Sequence, residues 1–307
     1  MPTSGHHDAV SYPAPQIISP HNDHTHTLIL LHGRGQDGLN FGSELITTQL
    51  THEPHTLPQR FPGLKFIFPN AKLRPSSAHN GSHLPQWFDI KTLDPPWEGR
   101  CSQREGLRES IAYITGIIED EINLVGASNV IIGGLSQGCA QALMVLLTYD
   151  DGGRGKLGGL VGLSGILPFQ PDLARLIGDG TQEEHDNYGD DTEATSSIQD
   201  GEREQARLSL AATTVNFARE HILSMPPIEA ERTAGSASTP IWLAHGSMDP
   251  LIKIEYAQEG AETLKALGWD VSFMVYDDLD HWYTSYELDD LAIFLSTTAG
   301  VPELSEL

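Results

Sequence analysis

Residues 129–147 read NVIIGGLSQGCAQALMVLL. Asn129–Ile132 is a short apolar run of strand type, and Gln137–Leu147 is an apolar run of helical length. Between them stands Gly133-Gly134-Leu135-Ser136-Gln137-Gly138, a G-x-S-x-G turn that joins strand to helix. A serine on such a turn takes a strained backbone with little room for neighbouring side chains, and glycines at 134 and 138 supply that room. Its hydroxyl then stands off a sheet edge. The backbone N–H of Gln137, at the helix N-terminus, points to the same spot and can hold an oxyanion. Ser136 is therefore the candidate nucleophile. Gly162-Leu163-Ser164-Gly165 also closes a strand, but its glycine follows serine directly and the spacing fails.

The same alternation extends in both directions. Thr27–Leu31 (TLILL) is an apolar strand running into His32-Gly33-Arg34-Gly35, and Lys65–Phe68, Gly159–Leu163, Ile241–Ala244 and Val271–Tyr276 read as further strands. Residues 103–124 place Leu107, Ile111, Ile114, Ile118 and Ile122 on one helical face, and further helices are expected at Tyr256–Leu267 and Tyr286–Leu295. Strands alternating with helices predict an α/β fold, a mostly parallel central sheet with helices on both faces. Right-handed crossovers gather the strand C-termini on one edge, where ligands bind in open sheets.

Other stretches lack periodicity. Residues 1–26 read as a flexible arm with one short strand at Gln16–Ser19. Residues 71–100, with Pro75, Pro85, Pro95 and Pro96, read as a long functional loop. Residues 178–205 hold ten acids and one base and almost no large apolar side chains, so a disordered acidic insertion is expected there. Ala206–Leu223 reads as a helix and Glu229–Thr239 as a second flexible link. The body, residues 27–300, is expected to be one domain around that insertion.

The 307 residues carry 42 acids against 18 bases, a formal charge of −24. That balance argues against nucleic acid or an anionic lipid surface as the primary partner. Two cysteines, Cys101 and Cys139, make neither a disulfide framework nor a four-cysteine zinc site. The histidines of the first 26 residues lack metal-ligand spacing, so neither metal nor other cofactor is expected. The opening residues lack a secretory pattern, and no stretch is long enough to span a bilayer. The expectation is a soluble cytoplasmic protein of unknown oligomeric state.

A serine nucleophile needs a base, and the base an orienting acid. Where this elbow occurs, acid and then histidine follow in chain order. Four histidines follow Ser136. His185 falls in the acidic insertion, His221 in a surface helix, and His245 closes a strand in a structural role. His281, between the last strand and the last helix, can reach across the sheet edge. Asp249, in the loop after Ile241–Ala244, is the favoured acid over Asp277, Asp278 and Asp280, which read as solvated turn residues. The Arg34 N–H is the second oxyanion donor beside that of Gln137. Its side chain is expected to face solvent or rim the site, while His32 reads as structural and Cys139 as packed. Leu73, Leu84, Trp87, Leu167 and Trp282 are candidate substrate-binding residues, and Phe88 and Trp97 of the long loop are further candidates for an apolar channel.

LHGRGQDG, FPNA followed by RP, QWFDI, GGLSQG, LSGILP, HGSMDPLI and DHWY occur in that order. Together they resemble the acyl-protein thioesterase / phospholipase–carboxylesterase family of α/β-hydrolases over about residues 27–168 and 240–296. The resemblance implies Ser136 as nucleophile, Asp249 as acid, His281 as base, and the Arg34 and Gln137 N–H groups as oxyanion hole. It also implies hydrolysis of thioesters on fatty-acylated protein cysteines, of lysophospholipids or of small esters, with at most transient membrane contact. Such relatives usually carry a hydrophobic residue where Arg34 stands and phenylalanine where Leu135 stands. They also often have proline at the position of Lys72, and they lack the acidic insertion. The expected function is thus an acyl-protein thioesterase. The alternatives are a general carboxylesterase or lysophospholipase and, in another class, a non-catalytic binding protein of the same fold.

Overall fold

The computed structural model describes residues 11–52, 54–179 and 196–304. Nine strands are present among them: β1 (Gln16–Ile18), β2 (His26–Leu31), β3 (Leu64–Phe68), β4 (Leu73–Pro75), β5 (His83–Pro85), β6 (Val130–Leu135), β7 (Gly159–Leu163), β8 (Ile241–Gly246) and β9 (Val271–Tyr276). Seven form one sheet in the order β1-β3-β2-β6-β7-β8-β9, and β4 and β5 form a separate ribbon. Only β1 runs antiparallel to its neighbour in the large sheet.

Both faces of the sheet are covered, and strand periodicity shows how. In β2, Ile29 and Leu31 join a core with Ile114, Ile118 and Leu143 from the helices Gln103–Val125 and Gln137–Leu147. Leu28 and Leu30 point the other way, to Phe41 and Leu45 of helix Gly38–Thr47 and Leu288 and Leu291 of helix Ser285–Thr297. Successive side chains of a strand face opposite sides, so a run apolar at every position is what a doubly covered parallel strand requires. The parallel register aligns Leu31 with Gly134, Leu135 with Leu163, Leu163 with Ala244 and Gly246 with Tyr276. The loops that follow β2, β6, β7, β8 and β9 therefore emerge side by side.

Several irregular stretches are more ordered than their composition suggests. Residues 11–26, read above as a flexible arm with one short strand, hold that strand as β1 against β3, and the order extends beyond it, with Tyr12 stacked on Tyr113 at 3.9 Å between ring centroids. The expected link at 229–239 forms a 3-10 turn, Ala230–Thr233, and a short helix, Ala234–Ser238. Its small residues serve close packing: a Cβ on Gly235 would fall 2.7 Å from the Asp151 side chain. Residues 180–195 of the expected acidic insertion lie outside the described residues, whereas its end belongs to helix Ser196–Phe217. Gly38–Thr47 gave no helical signal because two of its inward positions are glycines. A Cβ on Gly42 would lie 2.5 Å from the Phe68 ring. Within 71–100 the chain builds the β4–β5 ribbon rather than an unbroken loop.

Candidate active site

Ser136 lies at the end of β6 with φ 56° and ψ −117°, a backbone strained for a side-chain-bearing residue. The flanking glycines explain how the turn closes. A Cβ on Gly134 would lie 2.5 Å from the Gly138 carbonyl carbon, and one on Gly138 only 2.1 Å from the Leu31 oxygen. Nothing larger than glycine fits at either place. The helix Gln137–Leu147 starts at once, and Ser136 N is tied to the Leu163 carbonyl of β7 at 2.8 Å.

Two other loops reach this point. Asp249 follows β8, and His281 follows β9. Gly246 lets them meet, since a Cβ there would strike the Leu279 carbonyl oxygen at 2.2 Å. His281 Nε2 lies 2.8 Å from Ser136 Oγ, and its Nδ1 lies 2.6 Å from Asp249 Oδ2. With Nδ1–H donating to the carboxylate, Nε2 is left to accept from the serine hydroxyl. The other Asp249 oxygen accepts from Leu251 N at 2.8 Å and Ile252 N at 2.9 Å. Asp277, Asp278 and Asp280 are exposed.

His245 plays a larger part than its sequence position indicates. Its Nε2 lies 3.0 Å from the Ile252 carbonyl and 3.1 Å from Asp249 Oδ2, so one N–H serves both acceptors. Burial alone would raise the Asp249 pKa. The hydrogen bonds from His245, His281 and the Ile252 N–H overcome it and hold the carboxyl far below its ordinary range. Asp249 is thus a fixed anion, its side chain fully covered.

The turn after β2 forms the opposite wall. His32 is buried, with Nδ1–H donating to Gly33 O at 2.7 Å and Nε2 accepting from Ala71 N at 3.1 Å. Its Nε2 therefore carries no proton, and the residue is structural. Gly33 abuts Ser136, its Cβ position 3.5 Å from Ser136 Cβ. The backbone N–H groups of Arg34 and Gln137 have no acceptor among the described residues, and both residues line the cavity in front of Ser136. The Gln137 side chain has a separate task. Its Oε1 accepts from Trp87 N at 2.9 Å, and its Nε2 donates to Phe88 O at 2.8 Å, pinning the long loop beside the elbow.

The cavity measures about 240 Å³. Besides Arg34, Ser136, Gln137 and His281, its wall includes Phe88, Ile90, Leu93, Ile166, Leu251 and Trp282. Trp282 is the one member of the five candidate substrate residues in that wall. Trp87 is fully buried behind it, its indole N–H donating to the His32 carbonyl at 2.8 Å. Leu73 and Leu84 belong to the β4–β5 ribbon, and Leu167 lines a neighbouring crevice with Cys139. Trp97 packs edge-on against Tyr256. Ile90, Leu93, Ile166, Leu251 and Ile252 were missed because they are isolated apolar residues in loops, where no period marks them. Cys139 is buried against Gly162 and Gly165, and burial pushes its thiol up to about 12, so it is no thiolate nucleophile at neutral pH.

The sequence profile of the phospholipase/carboxylesterase family matches residues 12–194 and 214–299. Acyl-protein thioesterase 1 of Yarrowia lipolytica is 36% identical over 92% of this chain and 96% of its own length. The chain belongs to the phospholipase/carboxylesterase family. It is by that membership a hydrolase of carboxylic esters or thioesters, with an α/β-hydrolase fold. Another relative, acyl-protein thioesterase 1 of Gibberella zeae, is 28% identical over 92% of this chain and 94% of its own. The crystal structure of Zea mays acyl-protein thioesterase 2 superposes with a TM-score of 0.64 at 25% identity, covering 94% of this chain and all of that one. No helix among the described residues of this phospholipase/carboxylesterase family member is long and apolar enough to cross a membrane.

Proposed function

We propose that this hydrolase acts on acyl thioesters of protein cysteines, or on related carboxylic esters, through a Ser136–His281–Asp249 triad and an acyl-enzyme. The observation that carries this reading is the unbroken contact from Ser136 Oγ through both nitrogens of His281 to Asp249. His281 Nε2 takes the hydroxyl proton as Ser136 attacks the acyl carbon. Asp249 stabilises the resulting imidazolium. The Arg34 and Gln137 N–H groups hold the oxyanion, each such donor being worth roughly 3–4 kcal/mol of barrier. His281 then protonates the departing thiolate or alkoxide. A water, deprotonated by the same nitrogen, cleaves the acyl-serine and regenerates the hydroxyl.

A fluorophosphonate probe tests the nucleophile. Labelling is expected in the native protein and lost in Ser136→Ala; labelling that survives this substitution would remove Ser136 from the mechanism. The rate should also fall on acidification, because a protonated imidazole cannot accept the serine proton. A second substrate reading, short-chain ester hydrolysis, is favoured by the cavity volume. About 240 Å³ is below the roughly 300–1,000 Å³ of a pocket that holds a drug-sized ligand. Comparing turnover of palmitoyl and short-chain thioesters and esters separates the two.

A further inference from the structure

Arg34 is the one charged residue of the cavity wall whose side chain this mechanism leaves without a task. The residue lines the cavity. It makes no ion pair among the described residues, and its Nη1 is buried with no hydrogen-bond partner. Other arginines behave differently: Arg60, Arg74, Arg100, Arg154, Arg207 and Arg232 each reach a carboxylate. The opposing charge that acts on Arg34 is Asp89, but that carboxylate accepts from the Ser77 N–H and hydroxyl. Burial lowers the Arg34 pKa from its ordinary value and Asp89 opposes this only in part, so the charge is held at a cost that no hydrogen-bonded carboxylate offsets.

The position of the charge indicates which end of a substrate it meets. Phe88, Ile90, Leu135 and Ala140 are each 3% exposed or less and form the dry part of the wall, which suits an acyl chain. Arg34 is half-buried and stands outside that dry group, and its own N–H is the oxyanion donor proposed above. With the acyl chain against the dry residues, the leaving group is left to face the remaining wall, where Arg34 stands. A planar guanidinium with free N–H donors binds carboxylate or phosphate oxygens in a fork.

We infer that Arg34 selects substrates whose leaving group carries an anionic carboxylate or phosphate close to the scissile bond. The inference rests on the serine-hydrolase reading above and extends it to the substrate class.

Matched substrate pairs test it on the full-length protein. The thioester arm compares octanoyl-N-acetylcysteine, which bears a carboxylate, with octanoyl-N-acetylcysteamine, which does not. The ester arm compares octanoylglycerol phosphate with octanoylglycerol. The readout is the ratio of kcat/KM within each pair, so the backbone oxyanion donor, common to both members, cancels. In the native protein the ratio should favour the anionic member by about tenfold or more, the scale of one charge-assisted hydrogen bond. Arg34→Met should bring it to about one, and Arg34→Lys should restore part of it. A preference confined to one arm assigns the anion as carboxylate or phosphate. A native ratio near one in both arms, or an unchanged ratio in Arg34→Met, overturns the inference while leaving the hydrolase intact. Absence of both turnover and fluorophosphonate labelling in folded protein would overturn the two together.

Discussion

Ser136 and Ser164 stand at the carboxyl ends of neighbouring parallel strands, both with positive φ, 56° and 47°. Their surroundings divide them. Ser136 is followed by a helix N-terminus, opens on the cavity and meets His281 Nε2 at 2.8 Å. Ser164 is fully buried, and its hydroxyl donates to the Trp282 carbonyl at 3.5 Å. The Gly165 backbone beside it leaves no space, since a Cβ there would fall 2.4 Å from Cys139 Sγ. A strained serine at a strand end is thus insufficient for chemistry. What matters is room for a substrate, an N–H donor beside it and a base within hydrogen-bonding reach.

Mutating the two serines tests this contrast most sharply. Ser136→Ala should lower kcat by about 10⁴-fold or more, whereas Ser164→Ala should change kcat/KM by less than about tenfold. Comparable losses in steady-state kinetics would break the distinction.

The same contrast between partnered and unpartnered groups separates two buried carboxyls. Asp249 is held by N–H donors on both oxygens. Glu287, in helix Ser285–Thr297, is fully buried with neither oxygen hydrogen-bonded. Burial pushes Glu287 up to about 8, aided by Asp290, while the nearby Thr284 N–H opposes without completing a hydrogen bond. The signs are opposite. Above the ordinary 4.5 the unfolded Glu287 ionises while the folded one does not, so stability falls as pH rises from 4.5 to about 8. The full loss is up to roughly 5 kcal/mol at 1.36 kcal/mol per unit. Glu287→Gln should remove that decline in denaturant titrations run across this range. The depressed Asp249 contributes stability above 3.8 that is lost as pH falls below it. Asp249→Asn should therefore flatten the acid limb alone, and an effect on the alkaline limb would contradict the assignment.

His245 differs from His281 in touching Asp249 without touching Ser136. His245→Ala should lower kcat by about tenfold, since one hydrogen bond to a charged group is worth roughly 1.5–3 kcal/mol. Full activity with an unchanged pH–rate profile would reduce it to a core residue. A pair of glycines differs in the same way, and one of them gives the smallest effect. Gly138→Ala, with its Cβ 2.1 Å from the Leu31 oxygen, should destabilise by roughly 2–4 kcal/mol. Gly116→Ala, exposed in a helix with open space around it, should stabilise by about 0.5–1 kcal/mol. Thermal melts of the two variants moving in the same direction would show that close packing at the elbow is not what glycine serves there.

Period and spacing made the strands, most helices and the elbow legible along the chain, because each depends on neighbours within a few residues. Low apolar content concealed the packing of Tyr12 and the order in 230–238, where small residues and long-range contacts replace hydrophobic patterning. The sequence alone determined which serine lies on a strained strand-to-helix turn, since Gly134 and Gly138 are written beside it. Only the tertiary structure decided what faces that serine. His281 is 145 residues from Ser136, and Asp249 lies between them, 32 residues before His281; loop and sheet geometry bring them together. The second histidine on Asp249, the apolar wall of Ile90, Leu93 and Ile166, and the unpaired guanidinium of Arg34 are likewise facts of packing. A residue's type limits what it can bind, but which partner it lacks or finds depends on chain segments that no local pattern records.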